Sequence, residues 1–233
     1  KGGVHAPSHA IMDGTTPLML AACFGASRVV ELLLEANCDP NHARLDGKVA
    51  VHFAALGGHT SVLRQLVSAG AHVDPESQGG YGDNLWNTAE LQKARRDGAE
   101  APQLPMRDTH VTALMIACDY GHAEAADFLL LSKANVDHGD CRGVTAVMKA
   151  AEDGQEATVR VLLRYRAAIN QGDHDGTTAL HLACKYGHID TARTLIASGA
   201  LVNQAQNTDG ATALMLICKY MNDVDDSLIR LLL

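Results

Sequence analysis

The chain has 233 residues, a formal net charge of −8 at neutral pH and a pI of about 5.8. That acidic balance excludes nucleic acid as a bulk electrostatic partner, which would require clustered Lys and Arg. No apolar run reaches the roughly 18 residues needed to cross a bilayer. Hydrophobic residues make up 47% of the chain and aromatics only 4%, so the core must be built from Ala, Leu and Val, which suits closely packed helices.

Taken in chain order, six positions mark a recurring pattern: Thr16, Val49, Thr112, Thr145, Thr178 and Thr212, at steps of 33, 63, 33, 33 and 34 residues. The tetrapeptides that start there are TPLM, VAVH, TALM, TAVM, TALH and TALM. Thr at the mark predicts a helix N-cap, and Pro17 after the first mark suits the first helical position. Nine residues after the first five marks stand Gly25, Gly58, Gly121, Gly154 and Gly187, where glycine can end a short helix in the left-handed conformation. Apolar residues then recur at i, i+3, i+4, as in Val30, Leu33 and Leu34 or Val159, Leu162 and Leu163, which predicts a second helix with one buried face. A period near 33 residues means a stacked solenoid.

These residues resemble the ankyrin repeat over nearly the whole chain, except for about 75–108. The resemblance implies an all-α solenoid of helix-turn-helix units with β-hairpin loops projecting at right angles. It also implies protein–protein recognition without catalysis. The units are expected at 13–45, 46–74, 109–141, 142–174 and 175–208, with 1–12 as the hairpin tail of a truncated preceding repeat. Residues 209–233 read as an incomplete or capping repeat, with Met221 in place of the stop glycine and about two extra residues at Asp223–Asp226. Both ends read as those of a segment of a longer protein. Residues 75–108 are either an insertion bearing one helix, over Asn84–Arg96, or a degenerate repeat.

Residue types that suggest chemistry have plainer readings. Cys118, Cys184 and Cys218 occupy a slot filled elsewhere by Ala22, Ala55 and Ala151, and are expected to be small buried residues. Cys23 and Cys141 are expected to be more exposed. The cysteines form no C-x-x-C pair and suggest neither zinc nor disulfides, which favours a reducing, intracellular compartment, cytoplasmic or nuclear. His52 and His181 share a slot with Met19, Met115, Met148 and Met215, so packing rather than metal ligation is expected. In the family, the His after the stop glycine (His59, His122 and His188 here) bonds turn backbone. The GGYG run at Gly79–Gly82 lacks phosphate-loop spacing. No metal, cofactor or catalytic residue is expected.

The positions that the period leaves free should carry function. In the family, the residues seven and eight after each mark face the concave surface; here they include Phe24, Leu56, Asp119, Tyr120, Glu152, Asp153, Lys185, Tyr186, Lys219 and Tyr220. Lys149 is expected to pair with Asp153 at i, i+4, leaving an acidic middle of the groove. Hairpin tips add Leu45, Asp46, Lys48, Thr109, Val111, Arg142, Val144, His174, Asp175 and Thr177. Trp86, the sole tryptophan, is a possible contact in the insertion. The expected function is a scaffold that binds a protein loop or extended peptide with Lys or Arg and an apolar anchor. Alternatives are a regulatory segment of a larger enzyme, channel or transferase, and, more weakly, a metal- or redox-responsive module.

Overall fold

The computed structural model describes residues 14–75, 110–220 and 226–233. Twelve α-helices lie within them: α1 (Pro17–Cys23), α2 (Ser27–Glu35), α3 (Ala50–Leu56), α4 (Thr60–Ser68), α5 (Ala113–Asp119), α6 (Ala123–Leu131), α7 (Ala146–Glu152), α8 (Glu156–Arg164), α9 (Ala179–Tyr186), α10 (Ile189–Ala197), α11 (Ala213–Tyr220) and α12 (Asp226–Leu232). They pair into six units, each an odd-numbered first helix packed on the even-numbered helix after it. An isolated antiparallel bridge pairs Gly139 with Thr145. The fold is an all-α repeat solenoid.

Each first helix begins at its mark. The hydroxyls of Thr16 and Thr112 accept the backbone N–H three residues on, both at 3.3 Å, as N-caps should. Thr145 departs from this expectation: its hydroxyl makes no cap bond and is buried without a partner. The His/Met slot has a second use besides packing. Its side chain accepts the N–H of the cap residue itself, through Met19 Sδ at 3.4 Å and through Nδ1 of His52 and His181, each at 3.1 Å. With Nδ1 accepting, the neutral ring carries its proton on Nε2. That proton goes to Val111 O of the next unit for His52, at 3.2 Å, and to Gln204 O, in the loop that leads to the next unit, for His181, at 3.0 Å.

The stack has two layers. First helices touch first helices from α1 through α11, and second helices touch second helices from α2 through α12. The core between them is continuous, with Val62, Leu63, Leu66, Leu129, Leu162 and Leu195 completely buried on the second helices against Ala22, Ala55, Ala117 and Ala150 on the first. Neighbouring units are also stitched along the loop after each second helix. Asn41 Oδ1 accepts the N–H of His72 (2.8 Å), Asp74 that of Asn135 (2.7 Å), Asp137 that of Ala168 (2.7 Å) and Asn170 that of Leu201 (2.8 Å). Asn and Asp share the acceptor oxygen, and where the residue is Asn its amide also donates to the following unit, Asn41 to Gly70 O at 3.0 Å and Asn170 to Gly199 O at 3.2 Å.

The 63-residue step does not interrupt this order. Helix α3 packs directly on α5 and α4 on α6, and the bonds from His52 to Val111 and from Asn135 to Asp74 cross the step. Residues 76–109 therefore connect two units that touch. The helix expected at Asn84–Arg96, and with it Trp86 and Thr109, lie outside the described residues.

Close approach between units explains the stop glycines. Gly58 has φ +66°, and a Cβ there would sit 2.6 Å from the ring of His122, whose Nε2 donates to Leu56 O at 2.9 Å. The ring lies over the turn because it must reach that carbonyl. His59 and His188 reach the carbonyls of Cys23 and Glu152 in the same way, at 3.0 and 2.8 Å. By contrast Gly70, at φ +88°, has nothing within 4 Å of a built Cβ. Its counterparts are Asn37, Lys133 and Arg166, all at positive φ.

Gly58→Ala meets both backbone strain and the His122 ring and should lose more than about 2 kcal/mol, whereas Gly70→Ala should lose about 1 kcal/mol. Lys133→Gly, which relieves a left-handed non-glycine residue in open space, should gain about 0.5–1 kcal/mol, all read by urea unfolding. Burial holds His52 at about 4, below the usual histidine value of 6.5. Between those values the unfolded chain takes up a proton that the folded chain refuses. Stability is therefore full above pH 6.5 and falls by on the order of 3 kcal/mol as pH drops to 4. His52→Met should be less stable at pH 7 by about 1–2 kcal/mol, through the unmet Val111 carbonyl, yet lose less on acidification. An unchanged pH slope would place the acid-sensitive group elsewhere.

Candidate functional site

The first helices are only seven or eight residues long, so their last turns end close to the start of the second helices. Within each, small residues occupy the buried side and leave the residues that close the helix turned outward. One aromatic register results: Phe24 is 63% exposed, Tyr120 51%, Tyr186 48% and Tyr220 50%. Units two and four break the register, with Gly57 beside a half-buried Leu56 and with Asp153. The three tyrosine rings each meet a neighbouring side chain. Tyr120 stacks on His122 at 6.3 Å, and Lys185 and Lys219 hold their ammonium groups 4.8 and 5.0 Å from the centroids of Tyr186 and Tyr220. Lys185 Nζ also donates to the Tyr186 hydroxyl at 3.3 Å.

Charge along this register changes sign. Asp119 closes α5, and Glu152 and Asp153 close α7, while Lys185 and Lys219 stand near the ends of α9 and α11. Besides acting on Asp153, as expected, Lys149 makes a longer-range contact. Lys149, only 7% exposed, lies with Nζ 4.0 Å from Asp119 of the preceding unit. It adjoins that carboxylate because it stands where the other first helices have core residues such as Phe53 and Ile116. Burial, then the charge of Glu152, raises the Asp153 carboxyl above its ordinary value, against the opposing effect of Lys149 and His188. The Tyr120 hydroxyl is likewise raised by burial, with Asp119 and Asp153 adding to it.

The hairpin tips are built by one device. Asp140 Oδ1 accepts the N–H groups of Arg142 and Val144, both at 2.9 Å, and Asp173 does the same for Asp175 and Thr177, at 3.0 and 2.8 Å. Adjacent tips are then tied by His174 N–H to Arg142 O (2.9 Å) and Asn207 N–H to Asp175 O (2.8 Å). Leu45, Arg142, His174 and Asp175 are exposed at the tips, and Thr177 is half-buried. Three expected contact residues are not available. Lys48 and Val111 are each 1% exposed and Val144 is 8% exposed, because the residue before each mark folds back under the hairpin. Lys48 is held there by Asp46 at 3.0 Å, which also pairs with Arg44. Burial alone would raise the Asp46 carboxyl, but Arg44 and Lys48 outweigh it and hold it at about 2. Asp46 is thus committed within the hairpin.

Other chemistry recedes. Cys118 and Cys184 are buried, and burial raises both thiols, Cys184 to about 12. Cys218 is exposed, against expectation, as is Met215 of the same helix, because among the described residues no further first helix packs over α11. Cys141 is exposed as expected, whereas Cys23 is half-buried. No group of three His, Cys, Asp or Glu side chains among the described residues could hold a metal ion. No described helix is long and apolar enough to cross a membrane.

Sequence reasoning missed a network on the second-helix row. Arg64 lies 4.8 Å over Phe128, Arg164 and the Tyr165 hydroxyl both reach Asp127, and Glu156 accepts from Arg160 and Thr194. Most of these contacts join neighbouring units, and a shallow depression of about 320 Å³ opens beside Arg160 and Thr194. The signal was a repeated acidic or basic residue facing the next unit at matched offsets, visible only once the layers are stacked.

The sequence matches the family described as ankyrin repeats, in three-copy blocks, over residues 3–77, 97–173 and 114–206. No curated protein matches. Among solved structures, the human ASB11 ankyrin repeat domain aligns with a TM-score of 0.73 at 23% identity, over 94% of this chain and 82% of that one, which supports the fold alone. Ankyrin repeats are in general protein-binding modules and typically non-catalytic, and this chain belongs to the ankyrin repeat family.

Proposed function

We propose that the chain binds a loop or extended segment of another protein along its first-helix row, with the hairpin tips bordering the contact. The observation that carries this is the aromatic register. Phe24, Tyr120, Tyr186 and Tyr220 each leave about half or more of their surface in solvent at one position of units one, three, five and six. Core packing alone would have enclosed them or replaced them by smaller residues. Tyrosine at such a site supplies large contact area with little side-chain entropy to lose, the usual character of an interface anchor.

Leu56, Asp119, Glu152, Asp153, Lys185 and Lys219 surround the rings, and Leu45, Arg142, His174, Asp175 and Thr177 form the tip border. Buried Lys48, Val111 and Val144 support the border from beneath. Rings two units apart stand about 16–20 Å from each other, given an ordinary helix spacing of about 8–10 Å. They therefore suit an elongated partner segment rather than one enclosed side chain.

Capture experiments comparing the wild type with a Tyr120→Ala/Tyr186→Ala variant test this. The variant should keep its fold by circular dichroism and lose at least tenfold in affinity for a protein captured specifically by the wild type, since an anchor contributes about 2 kcal/mol or more. Identical capture and identical affinity would remove the first-helix row as the site.

A further inference from the structure

The sign change along the first-helix row bears on what the partner looks like, and the following rests on that row being the binding surface. Asp119 and Glu152 are the last residues of α5 and α7, and Asp153 caps α7. That is the negative pole of each helix, where a carboxylate is locally unfavourable by some tenths of a kcal/mol and a lysine favourable. The equivalent turns of α9 and α11 carry Lys185 and Lys219, the choice helix energetics prefers. Units three and four therefore hold carboxylates that their own helices do not ask for. Lys149 lies 4.0 Å from Asp119 and partly offsets Asp153 as well, one cation against three carboxylates. Burial and the Glu152 charge already disfavour ionisation of Asp153, so a cation brought to this place would be welcomed.

The other end of the row presents the opposite chemistry. Lys185 and Lys219 each hold an ammonium group about 5 Å from their own tyrosine ring, on adjacent units. Two cations beside two half-exposed rings form one positive, aromatic ledge. We propose that the surface takes an extended partner segment with both charges in a fixed order, a Lys- or Arg-bearing stretch over units three and four and an Asp- or Glu-bearing stretch over units five and six. The centres of the two patches are two units apart, about 18 Å at ordinary helix spacing. At about 3.3 Å per residue an extended chain covers that in about five or six residues. A partner of one sign gains at one patch and is repelled at the other.

The test uses labelled synthetic peptides and the whole chain. One probe carries three lysines, a three-residue spacer with a central leucine, and three glutamates, so that the centres of the charged blocks lie about six residues apart. Controls carry lysines only, glutamates only, or the two blocks without a spacer. Fluorescence anisotropy at 50 and 300 mM salt should give at least tenfold tighter binding of the spaced two-sign probe than of any control, weakening with salt. Glu152→Lys/Asp153→Lys and Lys185→Glu/Lys219→Glu should each reduce that affinity at least tenfold, and the milder Glu152→Gln/Asp153→Asn about threefold with an unchanged circular dichroism spectrum. Equal binding of all probes by a folded protein overturns the charge order. The tyrosine capture experiment reads the surface itself separately, so the two failures are distinguishable. Sedimentation showing self-association that either reversal abolishes would also overturn it, in favour of a second copy as occupant.

Discussion

The structure depends on contact between each unit and the next. A single helix pair here has a first helix of seven or eight residues and cannot bury its apolar face alone. Three contacts repeat with the units and fix the stacking. The apolar face of the second helix is enclosed by its neighbour. A histidine ring after the stop glycine, as at His59, His122 and His188, donates across to the preceding unit. An Asn or Asp oxygen at the end of each unit accepts an N–H from the following one. Each such bond contributes about 0.5–1.5 kcal/mol net, modest alone but repeated along the chain. The glycine at positive φ belongs to the same arrangement, since the neighbour's ring occupies the space a side chain would need.

Much of this was legible in the sequence because the scaffold is periodic. The marks, stop glycines and i, i+3, i+4 pattern located the helices, and the His/Met exchange identified a packing slot. What the period could not convey was the third dimension of the hairpins. Lys48, Val111 and Val144 vary as surface residues do, yet their position lies under the hairpin; valine in two of the three was the available hint. Along its own helix Lys149 offers Asp153 as a partner, but its contact with Asp119 across the stack is visible only once the units are placed side by side. Cys218 shares a slot with buried cysteines but stands where no further first helix among the described residues covers it. Each difference arises from contact between units, which a reading within one unit does not contain.

The same separation organises function. Residues used by the stack are buried or hydrogen-bonded between units, and substituting them acts on stability. Residues that close the first helices have weaker structural reasons for their identity, and some, such as Asp119 and Glu152, run against the preference of their helices. A local choice that conflicts with local energetics is where recognition is best sought. The aromatic register then supplies area, and the change of sign supplies order.

The continuity of the row from Phe24 to Tyr120 depends on units two and three being true neighbours despite the 63 residues between their marks. The most direct measurement is equilibrium unfolding of a chain in which residues 75–110 are replaced by His-Gly-Asp-Cys-Arg-Gly, the segment that joins Asp137 to Val144. Direct stacking predicts one cooperative transition, with stability within about 2 kcal/mol of the wild type, since few core contacts would be removed. Two separate transitions, or a loss of more than about 5 kcal/mol, would contradict it and mean that the replaced residues, rather than direct contact, hold the two parts of the stack together.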